Sequence, residues 1–318
     1  MNAATLGSAC AKVILCGEHS VVYGRPAIAL PLPRLRATAT VTPREPGDDA
    51  RADDVDIIAP NITARYWMRL QPGRPLARIV QLTLDRIGMH SDHAEWRPFT
   101  LSLLSDIPVG ANLGSGAATS VAASRATAGF FGRTLAAEEL SALAYEVEQM
   151  HHGTPSGIDN TVVAFEQPVW FVRGQPPELL GAAALLPLVI ADTGEATPTR
   201  VPVGDVRAAW QRDRDTLEAV FDEIARLVTQ SREALLAGDL ARLGAAMDAN
   251  HALLQALTVS SPALDALCEA ARGAGALGAK MSGGGRGGNM IALARDDGHA
   301  AALAETLTRA GATRVYRS

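Results

Sequence analysis

One lysine and two carboxylates have the chemical types needed to handle a proton beside a developing negative charge. Lys12 lies in the apolar stretch AKVIL, and because an unpaired buried ammonium is costly, we expect it to face a carboxylate, a phosphate or open solvent. Glu148 comes late on a predicted helix, and Asp159 follows the irregular segment HGTPSG. A carboxylate on a helix and one on a rigid loop can divide the work, one binding Mg²⁺ and the other managing a hydroxyl proton.

A glycine-rich segment, PVGANLGSGAA from Pro108 to Ala118, runs directly into a predicted alanine-rich helix. Gly110, Gly114 and Gly116 let backbone N–H groups approach a ligand closely, and the helix start carries the positive end of the dipole. Together they predict an anion site suited to a triphosphate. The segment is neither a Walker A loop nor GxGxxG, and a tight turn before a helix is the alternative.

Two further segments place polar or flexible residues between strands. GEHSVVYG puts Glu18, His19 and Ser20 on a loop, where ligand-orienting groups often lie. AKMSGGGRGGNMIAL joins two predicted strands through glycines, which suits either a phosphate contact or a simple hairpin. Taken singly, each feature also fits a structural interpretation: an edge-strand lysine, a polar turn or a solvated carboxylate.

The composition limits the class of partner. The 318 residues suffice for two domains, and a net charge of −5 disfavours nucleic acid or an anionic membrane as the main partner. Three cysteines without a CxxC pair indicate buried thiols in a reducing compartment. We find no signal-peptide pattern and no apolar run long enough to span a bilayer, so a cytoplasmic location is expected.

The pattern along the chain predicts mixed strands and helices in both halves. Predicted strands in the first half are Ala9–Cys16, Val21–Leu30 and Leu35–Thr42, and the acidic stretch Pro43–Asp54 is predicted to be an exposed loop. Predicted helices are Leu76–Ile87, the segment after the glycine loop, Val206–Gly238, Leu240–Leu257 and one starting at Ser261–Pro262. HHGTPSGIDN is predicted to be a loop. The linker-like composition of Gly174–Ala183 places a domain boundary there.

Together and in this order, the segments resemble the motifs of the GHMP kinases, and within that superfamily the mevalonate kinase family. AKVILCGEHSVVYGRPAIAL is similar to the first motif, PVGANLGSGAA to the second, nucleotide-binding motif, and AKMSGGGRGGNMIAL to the third. HGTPSGIDN is similar to the stretch that distinguishes mevalonate kinases from most other GHMP kinases. The match extends over nearly the whole chain.

The resemblance implies an α+β, two-domain GHMP kinase fold. Residues 1–180 would form a ribosomal protein S5 domain 2-like domain and residues 181–318 a ferredoxin-like domain, with ATP and substrate in the cleft between them. It implies a kinase of isoprenoid precursor synthesis that uses ATP and Mg²⁺ to phosphorylate the primary 5-hydroxyl of mevalonate. The products would be 5-phosphomevalonate and ADP, and a homodimer is a family-level expectation.

The resemblance also implies roles for individual residues. Asp159 and Lys12 match the catalytic pair, and Glu148 matches the Mg²⁺-binding glutamate, with Ser115 as a second metal candidate. The expected ATP-binding residues are Pro108, Gly110, Ala111, Asn112, Leu113, Gly114, Ser115, Gly116 and Ala117. The expected substrate-binding residues are Lys12, Glu18, His19, Ser20, Asp159, Thr193 and Gly284.

Three positions depart from the family pattern. The second motif usually has two consecutive serines, of which the later helps to hold Mg²⁺, whereas here Ser115 is followed by Gly116. Ser115 or a water would then take that place, since Mg²⁺ usually keeps several waters. Asn112 replaces a usual glycine, as does Arg286 in the third motif. Arg286 can add a phosphate contact or mark an altered nucleotide pose.

Other functions remain open at this stage. Another GHMP kinase acting on phosphomevalonate, homoserine or a sugar is the nearest alternative. A decarboxylase relative fits less well, because Lys12 lies where a kinase requires a lysine. A non-catalytic ligand sensor on the same fold is the alternative from another class.

Overall fold

A computed structural model describes residues 4–44, 54–108, 110–152, 155–181, 186–195 and 197–318. The strands are β1 (Thr5–Cys16), β2 (Ala27–Pro43), β3 (Asp56–Ala59), β4 (Ala64–Trp67), β5 (Phe99–Ser105), β6 (Val169–Phe171), β7 (Glu178–Leu179), β8 (Leu188–Asp192), β9 (Gly278–Ser282), β10 (Asn289–Leu293) and β11 (Arg314–Arg317). The α-helices are α1 (Pro75–Arg86), α2 (Ser115–Phe130), α3 (Ala137–His152), α4 (Ile158–Phe165), α5 (Arg200–Arg212), α6 (Arg214–Ala237), α7 (Leu240–Ala256), α8 (Pro262–Gly273) and α9 (Asp297–Arg309). In the ranges described, no helix combines the length and apolar character needed to cross a membrane.

The chain divides into two compact units, and it passes between them several times. The first unit comprises Met1–Ala11, Leu35–Pro108 and Gly114–Glu166, and the second comprises Lys12–Arg34, Val109–Leu113 and Gln167–Ser318. Nearly all of the first motif, from Lys12 onward, and residues Val109–Leu113 of the second motif therefore belong to the second unit. The predicted boundary after residue 180 stays a prediction.

The first unit combines a mixed sheet with four helices. β5 pairs in parallel with β3 and antiparallel with the Ala37–Pro43 part of β2, and β4 pairs antiparallel with β3. Helices α1 to α4 pack on one another, and α2 also packs on β5. The buried apolar face of α1 confirms the helix predicted from the periodicity of Leu76–Ile87.

Helix α2 is rich in alanine because backbone surrounds it closely. A Cβ atom on Gly7 of β1 would lie 2.3 Å from the carbonyl oxygen of Ala122 and 2.4 Å from the amide nitrogen of Ala126. Most of α2 is buried, and its low side-chain volume permits this approach. The Gly7 part of β1 and helix α2, which begins in the second motif, are thus in near backbone contact within the first unit.

The second unit contains a four-stranded antiparallel sheet in the order β11-β8-β10-β9. Helices α7 and α8 pack on β9, α9 packs on β8 and β11, and α6 pairs with α7. All five residues of each of β8, β9 and β10 are buried, which fits a sheet at the centre of the unit. The start of β2, at Ala27–Ala29, pairs with β6, which in turn pairs with β7.

Several predicted boundaries were wrong for identifiable reasons. Val21–Leu30 and Leu35–Thr42 do not form two strands: η1, a 3₁₀ turn at Ser20–Tyr23, is followed by one long strand, β2. Pro31 and Pro33 do not end β2, because they lie between its segments paired with β6 and with β5. The predicted loop Pro43–Asp54 lies largely outside the described residues.

The predicted helix Val206–Gly238 is two helices. Asp213 leaves helical geometry with φ of −140° and ψ of 80°, and its side chain caps α6 by accepting from the Thr216 amide. The helix starting at Pro262 is confirmed, with the Ser261 hydroxyl accepting from the Leu264 amide. The strand β7 lies within the segment predicted to be a linker, and Gly238 ends α6 in the left-handed conformation.

Two helical glycines in the second unit provide a matched stability test. A Cβ on Gly244 of α7 would lie 2.1 Å from the Leu277 carbonyl oxygen beside β9, whereas a Cβ on Gly204 of α5 would meet no atom within 4 Å. Both are the fifth residue of their helix. We expect Gly244→Ala to destabilise the protein by about 1–3 kcal/mol through overpacking. Gly204→Ala should stabilise it by up to about 1 kcal/mol, because alanine favours helix over glycine.

The midpoint of thermal unfolding, followed by circular dichroism, checks both variants. Equal shifts in the same direction would contradict the close contact between α7 and β9.

Candidate active site

The segment carrying Lys12 is anchored inside the second unit by hydrogen bonds from its backbone. Lys12 is 3% exposed, and its amide donates to the Leu113 carbonyl oxygen at 3.0 Å. Two residues further along β1, the Ile14 amide donates to Ser282 Oγ at 3.1 Å, and Ser282 Oγ donates to the Ile14 carbonyl oxygen at 2.9 Å. The first motif is thereby fixed to the second and third motifs.

Glu18 forms a buried ion pair with Lys280 of the third motif. Glu18 is 1% exposed and Lys280 is fully buried. Lys280 Nζ donates to Glu18 Oε1, while Glu18 Oε2 has no hydrogen-bond partner among the described residues. Burial raises the pKa of Glu18, and the nearby Lys280 and Lys12 ammonium groups oppose that rise. The unsatisfied oxygen is an acceptor suited to a hydroxyl group of a ligand.

His19 is a neutral imidazole held by the third-motif loop. Its Nε2 lies 3.0 Å from the Gly284 carbonyl oxygen, which can only accept, so Nε2 carries the proton and Nδ1 is an acceptor. Burial lowers the pKa of His19 to about 4. Its backbone has a positive φ of 62°, a conformation rare outside glycine. The next residue, Ser20, is buried and donates from Oγ to the Gly17 carbonyl oxygen at 3.2 Å.

The first half of the nucleotide loop, residues 110–113, also belongs to the second unit. Gly110 has a φ of 78° and Asn112 a φ of 57°, and asparagine tolerates this left-handed region better than most residues. Thr199 Oγ1 donates to Asn112 Oδ1 at 3.2 Å, and Asn289 Nδ2 donates to the Ala111 carbonyl oxygen. The replacement of the usual glycine by Asn112 is thus accommodated by both conformation and hydrogen bonding.

The second half of the loop belongs to the first unit and starts helix α2. Gly114 has a φ of 74° at the N-cap, Ser115 is the first helical residue, and Ala117 is buried. The following backbone N–H groups and the helix dipole favour an anion at this end. Gly116 is exposed, and a Cβ atom there would meet no atom within 4 Å. The serine that the family usually has at this position would therefore fit.

Glu148 and Asp159 are carried by two packed helices of the first unit. Glu148 is partly exposed on α3, and Asp159, also partly exposed, lies in the first turn of α4. The structure therefore places Asp159 on a helix rather than on the predicted loop, because Gly157, with a φ of 90°, caps α4 immediately before it. A carboxylate in a first turn is favoured by the helix dipole.

Asn160 fixes the turn that carries Asp159. Its Nδ2 donates to the Ser141 carbonyl oxygen at 3.1 Å and to Ser141 Oγ at 2.8 Å, which attaches α4 to α3. Thr161 Oγ1 donates to the Gly157 carbonyl oxygen at 2.7 Å. The turn that carries Asp159 is thus held by Asn160, which lies within HGTPSGIDN, and by Ser141 and Thr161, which lie outside it.

The third-motif loop is built around positive-φ residues, with Gly283, Gly285, Arg286, Gly287 and Gly288 all in that region. The Arg286 side chain pairs with Asp205 and donates from Nε to the Thr258 carbonyl oxygen at 3.1 Å. Its guanidinium therefore holds the loop to neighbouring elements of the second unit. The alternatives raised for Arg286, a phosphate contact or an altered nucleotide pose, stay untested.

Thr193 and Thr199 both contact this loop. Thr193 Oγ1 donates to the Gly288 carbonyl oxygen at 3.1 Å. Thr199 lies beside Gly284, where an added Cβ would approach its Cγ2 to 2.9 Å.

The second unit thus brings together Lys12, Glu18, His19, Ser20, Gly284 and the first half of the nucleotide loop. The first unit brings together the second half of that loop, Glu148 and Asp159. The pairing of Lys12 with Asp159 stays a prediction. Among the described residues, no group of three or more His, Cys, Asp and Glu side chains forms a metal site.

Four polar residues that bond to the first or second motif were not predicted as site residues: Thr199, and Lys280, Ser282 and Asn289 within the third motif. For Lys280 a signal existed, because the argument applied to a lysine in the apolar strand of Lys12 holds equally in AKMS. For the others, the partners are far apart in sequence, and no local pattern reveals them.

Comparisons with known proteins give a consistent result. The GHMP kinases N terminal domain family matches residues 76–167, and the GHMP kinases C terminal family matches residues 231–313. Mevalonate kinase of Thermococcus sibiricus is 38% identical over 300 residues, covering 91% of this chain and 89% of that protein. Mevalonate kinase of Pyrococcus furiosus is 35% identical over 301 residues, with coverage of 91% and 89%.

Solved structures agree in fold. The crystal structure of L. major mevalonate kinase in complex with R-mevalonate matches with a TM-score of 0.82 and 29% identity, covering 100% of this chain and 95% of that chain. Methanococcus jannaschii mevalonate kinase matches with a TM-score of 0.84 at 21% identity, covering 99% and 98%. The predicted α+β GHMP kinase fold is confirmed. The chain belongs to the GHMP kinase family, and within it to the mevalonate kinases.

Proposed function

We propose that this chain transfers the γ-phosphoryl group of ATP to the primary 5-hydroxyl of mevalonate, giving 5-phosphomevalonate and ADP. The observation that carries the proposal is the likeness to mevalonate kinases over nine-tenths of the chain, including one solved with R-mevalonate. A cytoplasmic location and a homodimer are expected for such an enzyme and belong to this proposal.

The nucleotide loop supplies the anion site. Backbone N–H groups between Gly110 and Ala117, with the start of α2, would bind the β- and γ-phosphates. Glu148 and Ser115 fit Mg²⁺, because one carboxylate and one hydroxyl with waters and phosphate oxygens are a usual set for this ion. When bound, Mg²⁺ neutralises charge on the phosphates. Gly116 leaves open space at this end, which water can fill.

The acceptor alcohol would bind where the first and third motifs meet. Glu18 Oε2 is a buried acceptor without a partner among the described residues, and His19 and Ser20 follow Glu18 in sequence. In the transfer, the substrate hydroxyl oxygen bonds to the γ-phosphorus as the bond to the ADP oxygen breaks. Asp159 accepts or orients the hydroxyl proton, and Lys12 stabilises negative charge on the reacting oxygens. Because the transition state is loose, positioning and charge neutralisation are the main requirements.

The acceptor is tested by a coupled ADP-release assay with mevalonate, phosphomevalonate and homoserine side by side. We expect turnover with mevalonate to exceed that with the other two by several decades. Preference for another alcohol would contradict mevalonate as the substrate but would still show that the chain is a kinase. Tight binding of ATP and mevalonate with no product over hours would instead favour a non-catalytic sensor.

Replacing Asp159 tests the chemical step. Asp159→Ala should lower kcat by about two to four decades, the usual scale for general acid–base groups. Its matched control is Asp215→Ala: Asp215 is exposed and also lies in a first helical turn, that of α6. Steady-state assays with both variants distinguish a role in catalysis from loss of a helix-dipole interaction. Near-normal turnover of Asp159→Ala would remove Asp159 from the proposed role.

Magnesium titrations test the metal assignment in both directions. Glu148→Gln should raise the Mg²⁺ concentration for half-maximal activity by about tenfold or more, since one ligand charge is lost. Glu146→Gln is the matched control on the same helix, because Glu146 is exposed and 3.7 Å from Arg78. Gly116→Ser adds a hydroxyl in open space and should lower the requirement. Unchanged titrations for Glu148→Gln and Gly116→Ser would contradict the proposed site.

A further inference from the structure

Lys280 is a fully buried lysine in the third motif to which the proposed reaction assigns no task. It lies in the middle of β9, opposite Ile291 of β10. Its Nζ donates to Glu18 Oε1 and to the Met281 carbonyl oxygen, the latter at 2.6 Å. A buried ammonium is costly unless paired. Its presence in a strand that is otherwise mostly apolar therefore has to be explained by its partner.

The contact with Lys280 makes the two oxygens of Glu18 different. Oε1 accepts from Lys280, whereas Oε2 is buried without a partner among the described residues. An unsatisfied buried acceptor is unfavourable, and more so when it is charged. A ligand hydroxyl donating to Oε2 would remove that cost. The fixed Oε1 also restricts the direction in which Oε2 can accept.

Three other buried titratable groups near this pair keep their charge state near neutral pH. Burial raises the pKa of Cys16 to about 11, and burial lowers the pKa values of His19 and of His251, on α7, to about 4. Lys12 on β1 supplies further positive charge near Glu18, and Arg286 in the third-motif loop supplies positive charge near His19. Glu18 is therefore the group in this set whose charge is sensitive to the loss of Lys280.

We propose that Lys280 is a positioning residue for the acceptor alcohol: by binding Oε1 it holds Glu18 as a carboxylate whose Oε2 accepts a hydrogen bond from a substrate hydroxyl. The inference rests on the proposed function and adds one residue to its substrate site. Lys280 itself does not touch the substrate. Its effect on binding passes through Glu18.

The test begins with Lys280→Met, which approximately keeps the length of the side chain and removes its charge. We expect KM for mevalonate to rise about tenfold or more, the scale of one hydrogen bond to a charged group. KM for ATP should stay unchanged. The pKa of Glu18 should rise further, since Lys280 is the largest influence lowering it. KM of the variant should therefore fall as pH increases from about 6 to about 9, while wild-type KM varies little.

A control and a double-variant cycle separate positioning from general destabilisation. Met281→Leu changes the buried neighbour of Lys280 with nearly conserved volume, so its KM should match wild type. If Lys280 acts through Glu18, adding Lys280→Met to Glu18→Gln should change KM by no more than about twofold. The double variant also removes both buried charges, so it is expected to fold even if Lys280→Met alone does not.

Each outcome bears on one claim. A pH-dependent rise in KM for Lys280→Met, absent in the Glu18→Gln background, supports the inference. Unchanged KM with only a lower Tm, or a full multiplicative loss in the double variant, overturns it. Turnover of wild type with the alcohol panel tests the proposed function separately, and the variants are then compared with the alcohol that wild type uses. Calorimetric binding of that alcohol gives a readout independent of turnover.

Discussion

The buried ion pair between Glu18 and Lys280 is the interaction on which the arrangement of the second unit's motifs depends. Both side chains are almost wholly removed from water, so each charge is tolerable only because the other is present. The pair joins the loop after β1 to the middle of β9, residues separated by 262 positions. Around it, hydrogen bonds from Ser282 to Ile14 and from His19 to Gly284 repeat the same connection. A polar site is thereby built inside an otherwise apolar core.

Long-range contacts also position the nucleotide loop. Its first half is held by the amide of Lys12, the side chain of Asn289 and the hydroxyl of Thr199, all within the second unit. Its second half becomes helix α2, which β1 approaches at Gly7 so closely that no side chain fits. Glycine and alanine therefore serve two purposes here: those of the second motif give backbone N–H groups access to an anion, and Gly7 with the alanines of α2 allows close packing.

Local rules predicted much of the secondary structure, and long-range contacts account for what they missed. The hydroxyl–proline start of α8 and the apolar face of α1 follow from short-range physics. The continuity of β2 through two prolines depends on where its neighbours pair, and the break at Asp213 depends on a cap that competes with helix continuation. The motifs located the candidate site residues, but the proposed role of Lys280 follows only from its ion pair with Glu18. Spacing within one segment carries no information about such a partner.

The interleaved path of the chain has a consequence for how the protein is made. Ile14 bonds to the side chain of Ser282, 268 residues later, and Ala111 bonds to the side chain of Asn289, 178 residues later. A nascent chain leaving the ribosome would thus expose β1, which carries Lys12, and the nucleotide loop long before β9 and β10 are synthesised. Closing such long loops slows folding. Binding competence should accordingly emerge only after β9 and β10 have been synthesised, and fragments that end before β9 would lack it.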